Sequence, residues 1–367
     1  MTRSRPGDRL PDFPWDELAA AAHLARSHPD GLVDLSVGTP VDRVPSPVRT
    51  ALADSSNAPG YPTVHGTAAL REAYVGWLDR SHGVTDLDPV SVLPTVGSKE
   101  LVASLPSQLG LGAGDLVVIP EIAYPTYEVG ALMAGTEIRR ADTLTALGPE
   151  RPALLWLNSP SNPTGRVLPA QHLAKVVSCA RARGTIVASD ECYIDLGWDS
   201  TPVSILHPDV CGGDFTGLLA VHSLSKRSNM AGYRAGFVSG DPALVAELLA
   251  LRRHLGAMLP LPIQAAAAAA LEDDGHVMAQ RARYGERRRK LMDAFESAGF
   301  GVGHSEAGLY VWCTRREPAM ATVDWLAQRG ILAAPGTFYG PGGAQHVRAA
   351  LTASDERIDA AVSRLAG

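Results

Sequence analysis

The 367-residue chain is short of several things, and each shortage removes a class of protein. Its four cysteines, Cys179, Cys192, Cys211 and Cys313, form no C-x-x-C pair. Scattered thiols of this kind suit a reducing compartment better than a disulfide framework. Aromatics make up only 6% of the chain, too few for interleaved base-stacking surfaces. Charge of one sign is not in excess: 33 basic and 39 acidic residues give a net charge of −6. Nothing electrostatic therefore calls for a nucleic-acid or anionic-membrane partner. Long apolar runs are missing too. The uncharged stretch Leu255–Leu271 holds two prolines and Gln264 and falls short of a spanning helix. The segment Met1–Pro11 mixes Arg3, Arg5 and Arg9 with Asp8 and has no apolar core, so it is not a secretory signal. No metal site is read from the sequence. A soluble, cytoplasmic enzyme is the expectation.

What the chain does have is turn formers. Glycine and proline occupy 63 of 367 positions, about 17% against about 12% in ordinary usage. The length exceeds that of one usual domain. Short apolar runs alternate with helical patterns: Leu116–Pro120, Ala153–Leu157, Thr185–Ser189, Leu218–Val221 and Ala235–Val238 read as strands buried on both faces. Between them, helices are expected at Ala68–Leu78 after Thr67, at Lys99–Leu109 after Ser98, and at Leu168–Arg183 closed by Gly184. The pattern predicts an α/β fold: a large domain with a mostly parallel sheet sandwiched by helices, plus a smaller α+β domain. The divisions expected are an N-terminal segment 1–45 packing with the small domain, a large domain 46–288 and a small domain 289–367. A long helix is expected over His276–Ser297, and its run Arg287-Arg288-Arg289-Lys290 reads as a solvated face.

Chemistry concentrates in Ser223-Leu224-Ser225-Lys226-Arg227-Ser228-Asn229-Met230-Ala231-Gly232-Tyr233-Arg234-Ala235-Gly236. A lysine just beyond a buried strand, with an arginine eight positions later, is placed to act as a nucleophilic amine. Burial and a neighbouring cation favour its neutral form. The pair Ser223-x-x-Lys226 also fits a serine-acylase pattern, but the companion S-D-N and K-T-G elements are absent. Gly110-x-Gly112-x-Gly114 looks dinucleotide-like, yet it precedes a strand instead of opening a helix.

The Ser223–Gly236 segment resembles the lysine signature of class I pyridoxal-phosphate aminotransferases, and the resemblance runs in order from about residue 33 to residue 352. It implies pyridoxal 5′-phosphate as cofactor, with Lys226 bound to its aldehyde carbon and shuttling the proton. Ser223 and Arg234 would hold the phosphate, joined by the backbone amides of Ser98 and Lys99 after Gly97, where a helix N-terminus favours an anion. In Ser189-Asp190-Glu191-Cys192-Tyr193, Asp190 would face the pyridine nitrogen and keep it protonated. Tyr193 and the Asn162 of Asn158-Ser159-Pro160-Ser161-Asn162-Pro163-Thr164-Gly165 would reach the cofactor's 3′ oxygen. Alternation along an extended segment turns Glu191 to the other face. Tyr124 aligns with the aromatic that stacks on the ring. Tyr61, in Gly60-Tyr61-Pro62, aligns with a residue that reaches the partner subunit's phosphate, which implies a homodimer with shared active sites. Arg348, helped by backbone near Gly38, would clamp the substrate α-carboxylate.

The same segments look like those of N-succinyldiaminopimelate aminotransferases of bacterial lysine biosynthesis, with 2-oxoglutarate and glutamate as the partner pair. Arg227, His65 and Arg252 or Arg253 are the candidates for the distal anionic end. Aminotransferases for aspartate, alanine or aromatic substrates, and a C–S lyase, share the cofactor residues and stay open. A cofactor-sensing regulator is disfavoured because no basic helix-turn-helix pattern precedes Phe13.

Overall fold

The computed structural model describes residue 7 and residues 10–367, so Arg3, Arg5, Asp8 and Arg9 lie outside the described residues. In chain order the strands are β1 (Val33–Asp34), β2 (Val92–Val96), β3 (Leu116–Ile119), β4 (Glu137–Arg140), β5 (Leu154–Asn158), β6 (Ile186–Asp190), β7 (Leu218–Ser223) and β8 (Ala235–Gly240). They continue with β9 (Gly301–Gly303), β10 (Tyr310–Thr314), β11 (Ile331–Leu332), β12 (Ala334–Pro335) and β13 (Val347–Ala350). Seven of them form the main sheet in the order β2-β8-β7-β6-β5-β3-β4. Only β8 runs against its neighbours, pairing antiparallel with β2 and β7, while the remaining pairs are parallel. Strands β5 and β7 are buried at every position, because helices cover both faces and leave no side for polar residues.

The expected helices form with capping chemistry that explains their ends. Thr67 accepts a hydrogen bond from the Leu70 amide at 3.2 Å and opens Ala68–His82. Gly184 takes the left-handed conformation that closes Ala170–Arg183. Helix Ser98–Gln108 starts one residue earlier than expected, with Gly97 at φ 81° as its cap.

A second core joins the two ends of the chain. Leu18, Ala25, Val33 and Leu35 pack with Leu309, Val323, Ile331 and Ile358. Strand β1 lies parallel to β11, pairing Val33 with Ile331. Beside it, a four-stranded antiparallel sheet has the order β12-β13-β10-β9. The pairing of β1 with β11 carries the chain on to Ser36 and Gly38, whose carbonyls meet Arg348 and Lys226.

Helix Asp274–Ser297 bridges the two cores and corrects one expectation. Arg287 is buried, not solvated: its guanidinium forks onto Asp42 at 2.8 Å and reaches Asp355 at 2.6 Å. Arg288 is largely covered as well, pairing with Asp199, whereas Arg289 stays exposed and pairs with Glu286 along its own helix. A buried guanidinium needs such partners, since an unpaired one would be costly. Among the described residues no helix is long and apolar enough to cross a membrane.

Candidate active site

Three parallel strands end side by side. Asn158 at the end of β5 pairs with Asp190 at the end of β6, and Asp190 pairs with Val221 in β7. The carboxyl edge of an open α/β sheet is where loops converge on ligands. There a cavity of about 520 Å³ opens, lined by residues from both cores.

The lysine loop leaves β7 through a tight cap. Ser223 Oγ accepts from the Ser225 amide at 3.2 Å and donates to Ser225 Oγ at 2.9 Å. This turns Lys226 into the cavity, where its ammonium donates to the Gly38 carbonyl. Burial pushes the Lys226 amine below its usual range, helped by Arg348 and Arg234 and opposed by Tyr310 and Cys192. Asn229 and Arg234 hold left-handed backbone at φ 55° and 59°, a conformation that costs non-glycine residues and persists only where the surroundings impose it. Arg234 donates to the Ala231 carbonyl at 2.9 Å, and its guanidinium lies against Gly97. Any side chain at Gly97 would collide with it. Guanidinium, helix N-terminus and the Ser223 and Ser225 hydroxyls thus form one donor-rich cradle on the cavity wall.

Asp190 lines another part of the cavity. Its carboxylate accepts from the Tyr127 hydroxyl at 2.8 Å and the Cys192 amide at 3.2 Å. Burial raises its pKa, and those hydrogen bonds, with the nearby His222, oppose the rise. Tyr127 is itself fixed by stacking on Trp156, with centroids 4.9 Å apart and planes 22° apart. Tyr124, which also lines the cavity, meets Tyr127 edge-on at 5.8 Å. Glu191 turns away, placing Oε2 3.0 Å from His222 Nε2 and accepting the Ile205 amide at 2.7 Å. Asn162 is set by the loop after β5: its amide N–H donates to Asn158 Oδ1 at 2.7 Å.

Arg348 arrives from β13. It donates to Asn162 Oδ1 at 3.0 Å and to the Ser36 carbonyl at 2.5 Å, while its Nε has no partner. A buried donor left unpaired is uncommon, and here it belongs to a side chain that lines the cavity. The structure therefore gathers Lys226, Asp190, Asn162, Tyr193, Tyr124, Ser223, Ser98, Lys99, Arg234, Gly38 and Arg348 around one space, with Gly97 behind Arg234. Tyr61 is not among them: it is 94% exposed and lines no part of its own chain's cavity.

The distal-end candidates do not reach the cavity either. Arg227 is buried beside Asp195 at 2.8 Å and over the Trp77 ring at 4.8 Å. Arg252 forks onto Glu100 at 2.9 Å, and His65 meets the Val90 carbonyl at 3.2 Å. Arg253 is exposed and also lies outside the lining. Each such side chain is committed elsewhere or points to solvent, which a linear sequence does not reveal. Conversely, sequence reasoning missed Phe13, Trp15, Tyr310, Cys192, Tyr127 and Ser225 in the lining. Trp15 packs on Phe338 at 5.3 Å and on Phe13 at 5.6 Å. In a chain with few aromatics, a Phe-x-Trp pair ahead of the first helix was the available signal.

Residues 30–365 match the family described as "Aminotransferase class I and II", and the chain belongs to that family. It is 65% identical to "Probable aminotransferase Rv1178" of Mycobacterium tuberculosis over 97% of this chain and 85% of that protein. It is 57% identical to the "4-dedimethylamino-4-oxo-anhydrotetracycline transaminase OxyQ" of Streptomyces rimosus over 97% of this chain and 99% of that protein. An LL-diaminopimelate aminotransferase of Gloeobacter violaceus is 31% identical over 98% and 96% of the two chains. The fold is that of aspartate aminotransferase: a Thermus thermophilus enzyme of that name covers 100% of this chain and 99% of its own with a TM-score of 0.88 at 24% identity.

Enzymes of this family depend on pyridoxal 5′-phosphate, and the cavity fits that group. The Gly97–Arg234 cradle, which a Cβ would fill, suits a phosphate. Buried Asp190 suits a pyridinium, and Lys226 with a depressed pKa suits an aldehyde.

Proposed function

We propose that this protein is a transaminase working by a ping-pong cycle, with N-succinyl-LL-2,6-diaminopimelate as amino donor and 2-oxoglutarate as acceptor. The observation that carries transamination is the convergence of Lys226 and Arg348 on one cavity from the two cores. Pyridoxal phosphate, when bound, supplies the electron sink for negative charge at the substrate Cα. Lys226 would hold its aldehyde carbon and, as a free amine, would hold and move the proton at the substrate Cα. Arg348 fixes the α-carboxylate with a guanidinium fork, backed by the peptide at Gly38. Asp190 would keep the pyridine nitrogen protonated, and Asn162 and Tyr193 would donate to the 3′ oxygen. Ser223, Arg234 and the amides of Ser98 and Lys99 would hold the phosphate.

The donor assignment is supported by a spare cation. Of the cationic residues lining the cavity, Lys226, Arg234 and Arg348 have tasks, which leaves Lys99. Its ammonium stands 5.9 Å from the Phe13 ring centroid, where a succinyl carboxylate would sit beside apolar surface. The diaminopimelate name of the 31%-identical relative points the same way. A second reading is a bulky ring-bearing oxo substrate, favoured by the Phe13–Trp15–Phe338 wall and by the name of the 57%-identical relative.

The assay is a donor panel with 2-oxoglutarate: N-succinyl-diaminopimelate, diaminopimelate, aspartate, alanine and aromatic amino acids, each read by glutamate formed. Faster turnover of an aromatic or aspartate donor overturns the succinyl assignment. Pyruvate and ammonia released without acceptor would show a lyase. The Tyr61 ring, 94% exposed, is proposed to complete the neighbouring subunit's phosphate site in a homodimer. A monomeric holoenzyme in sedimentation would exclude that. The 1–45 segment is proposed to pack with the small domain 289–367, apart from the large domain 46–288, a division supported by the β1–β11 pairing.

A further inference from the structure

Tyr310 occupies a position that touches both halves of the proposed chemistry. It lies in β10, two residues from Trp312, which pairs with Arg348 across the sheet. Its ring lies under the Arg348 guanidinium, 4.0 Å from ring centroid to Cζ. Its hydroxyl is 3.1 Å from the Tyr193 hydroxyl, with the two rings 74° apart. The chain makes room for that hydroxyl at Gly38, where any Cβ would overlap it. Both phenols are buried.

We propose that Tyr310 is a positioning residue that ties substrate capture to the cofactor's 3′ oxygen: its ring fixes the Arg348 fork, and its hydroxyl donates to Tyr193. This rests on the pyridoxal-phosphate reading. A phenol that accepts a hydrogen bond becomes a stronger donor. With Tyr193 donating to the 3′ oxygen, its lone pairs are open to the Tyr310 proton, and the chain of donors runs Tyr310, Tyr193, oxygen. A stronger donor draws negative charge from that oxygen, which then holds the proton at the lysine nitrogen less tightly. Losing the Tyr310 hydroxyl therefore raises the pH at which the bound chromophore titrates. The other groups facing this pair are Lys226, Arg348, Cys192, Tyr124, Tyr339 and Tyr284. Burial holds the Tyr193 phenol well above its usual range, the neighbouring Tyr310 and Cys192 add to that rise, and the Arg348 cation opposes it.

Two variants of the holoenzyme separate the two roles. Tyr310→Phe keeps the ring under Arg348 and removes only the hydroxyl. The expected result is a chromophore midpoint raised by about half a pH unit, the size of one neutral hydrogen bond acting through a second. The donor KM should stay within about twofold, as expected when uniform binding is untouched. Tyr310→Leu removes the ring as well and should raise KM by about tenfold, the measure of a loosened charge-assisted fork. Restoring Tyr310 in the same background must restore both. An unmoved midpoint in Tyr310→Phe, or identical changes in the two variants, overturns the proposal and leaves only packing. A wild-type protein with no bound chromophore after loading would sink the cofactor reading instead, so the two failures are told apart.

Discussion

The cavity has two ends with different construction. At the cofactor end, the site residues follow strands β5, β6 and β7 of one parallel sheet and are held by short local bonds, such as Ser223 on Ser225 and Asn162 on Asn158. At the substrate end, contributions come from segments far apart in the chain: Arg348 bonds to Ser36, and Phe13 meets Lys99. The first end is rigid because its backbone ladder sets each strand terminus in register. The second is assembled only when β1 docks on β11 and β10 on β13. Reaction type can be fixed by the first end while specificity is drawn from the second, since side chains there change without disturbing the sheet.

The comparison predicts that damage at the cofactor end appears in kcat and that damage at the substrate end appears in KM. The largest effect is expected for Lys226→Ala. It removes both the nucleophile and the proton carrier, so turnover should fall by about 10⁴-fold or more. Cofactor should still bind through the Arg234 cradle, now without an absorbance that borohydride bleaches. Full activity in this variant would refute the assignment outright.

Next comes Arg348→Lys, which keeps the charge and loses the fork. Loss of a bidentate, charge-assisted pair should cut kcat/KM by about 10- to 100-fold, mostly through KM. Steady-state kinetics over a range of donor concentrations decides it. If kcat falls and KM does not, Arg348 belongs functionally to the cofactor end and the comparison breaks.

Tyr127→Phe tests the cofactor end more gently. Burial already raises the Asp190 pKa, and the Tyr127 hydrogen bond holds it down. Removing that donor must raise it further. The carboxylate has to be ionised to face a pyridinium, so the acid limb of kcat/KM should move to higher pH by about half to one unit. Activity near neutrality should change little. A profile that does not move, or moves toward acid, contradicts the geometry.

These differences track what the amino-acid sequence made legible. Strands β5, β6 and β7 were readable because each is a mostly apolar run followed directly by a loop that lines the cavity. Lys226, Asp190 and Asn162 lie within a few residues of strand ends for that reason. Arg287 was misread as solvated because its acidic partners, Asp42 and Asp355, are far away in the chain. Arg227 and Arg252 stood as candidates for the distal end for the same reason: Asp195 and Glu100, which pair with them, lie in other elements. Tyr310 carried no signal at all, since a tyrosine in a short strand is ordinary core until Arg348 and Tyr193 are seen against it.

The smallest expected effect belongs to Lys99→Gln, and it bears most directly on specificity. Lys99 is exposed at the helix start, so water and salt screen its charge. An exposed ion pair contributes about 0.2–1 kcal/mol, which corresponds to about a 1.4- to 5-fold loss in kcat/KM for a donor with a distal carboxylate. A donor without that carboxylate, such as alanine, should be unaffected, and the loss for the anionic donor should shrink as ionic strength rises. The backbone amide at this position is unchanged, so cofactor retention should match the wild type. Equal losses for both donors would place Lys99 with the phosphate cradle, moving it from the substrate end of the cavity to the cofactor end. A larger loss with the anionic donor alone keeps it where the Phe13 contact puts it, and makes the N-terminal segment part of the specificity pocket.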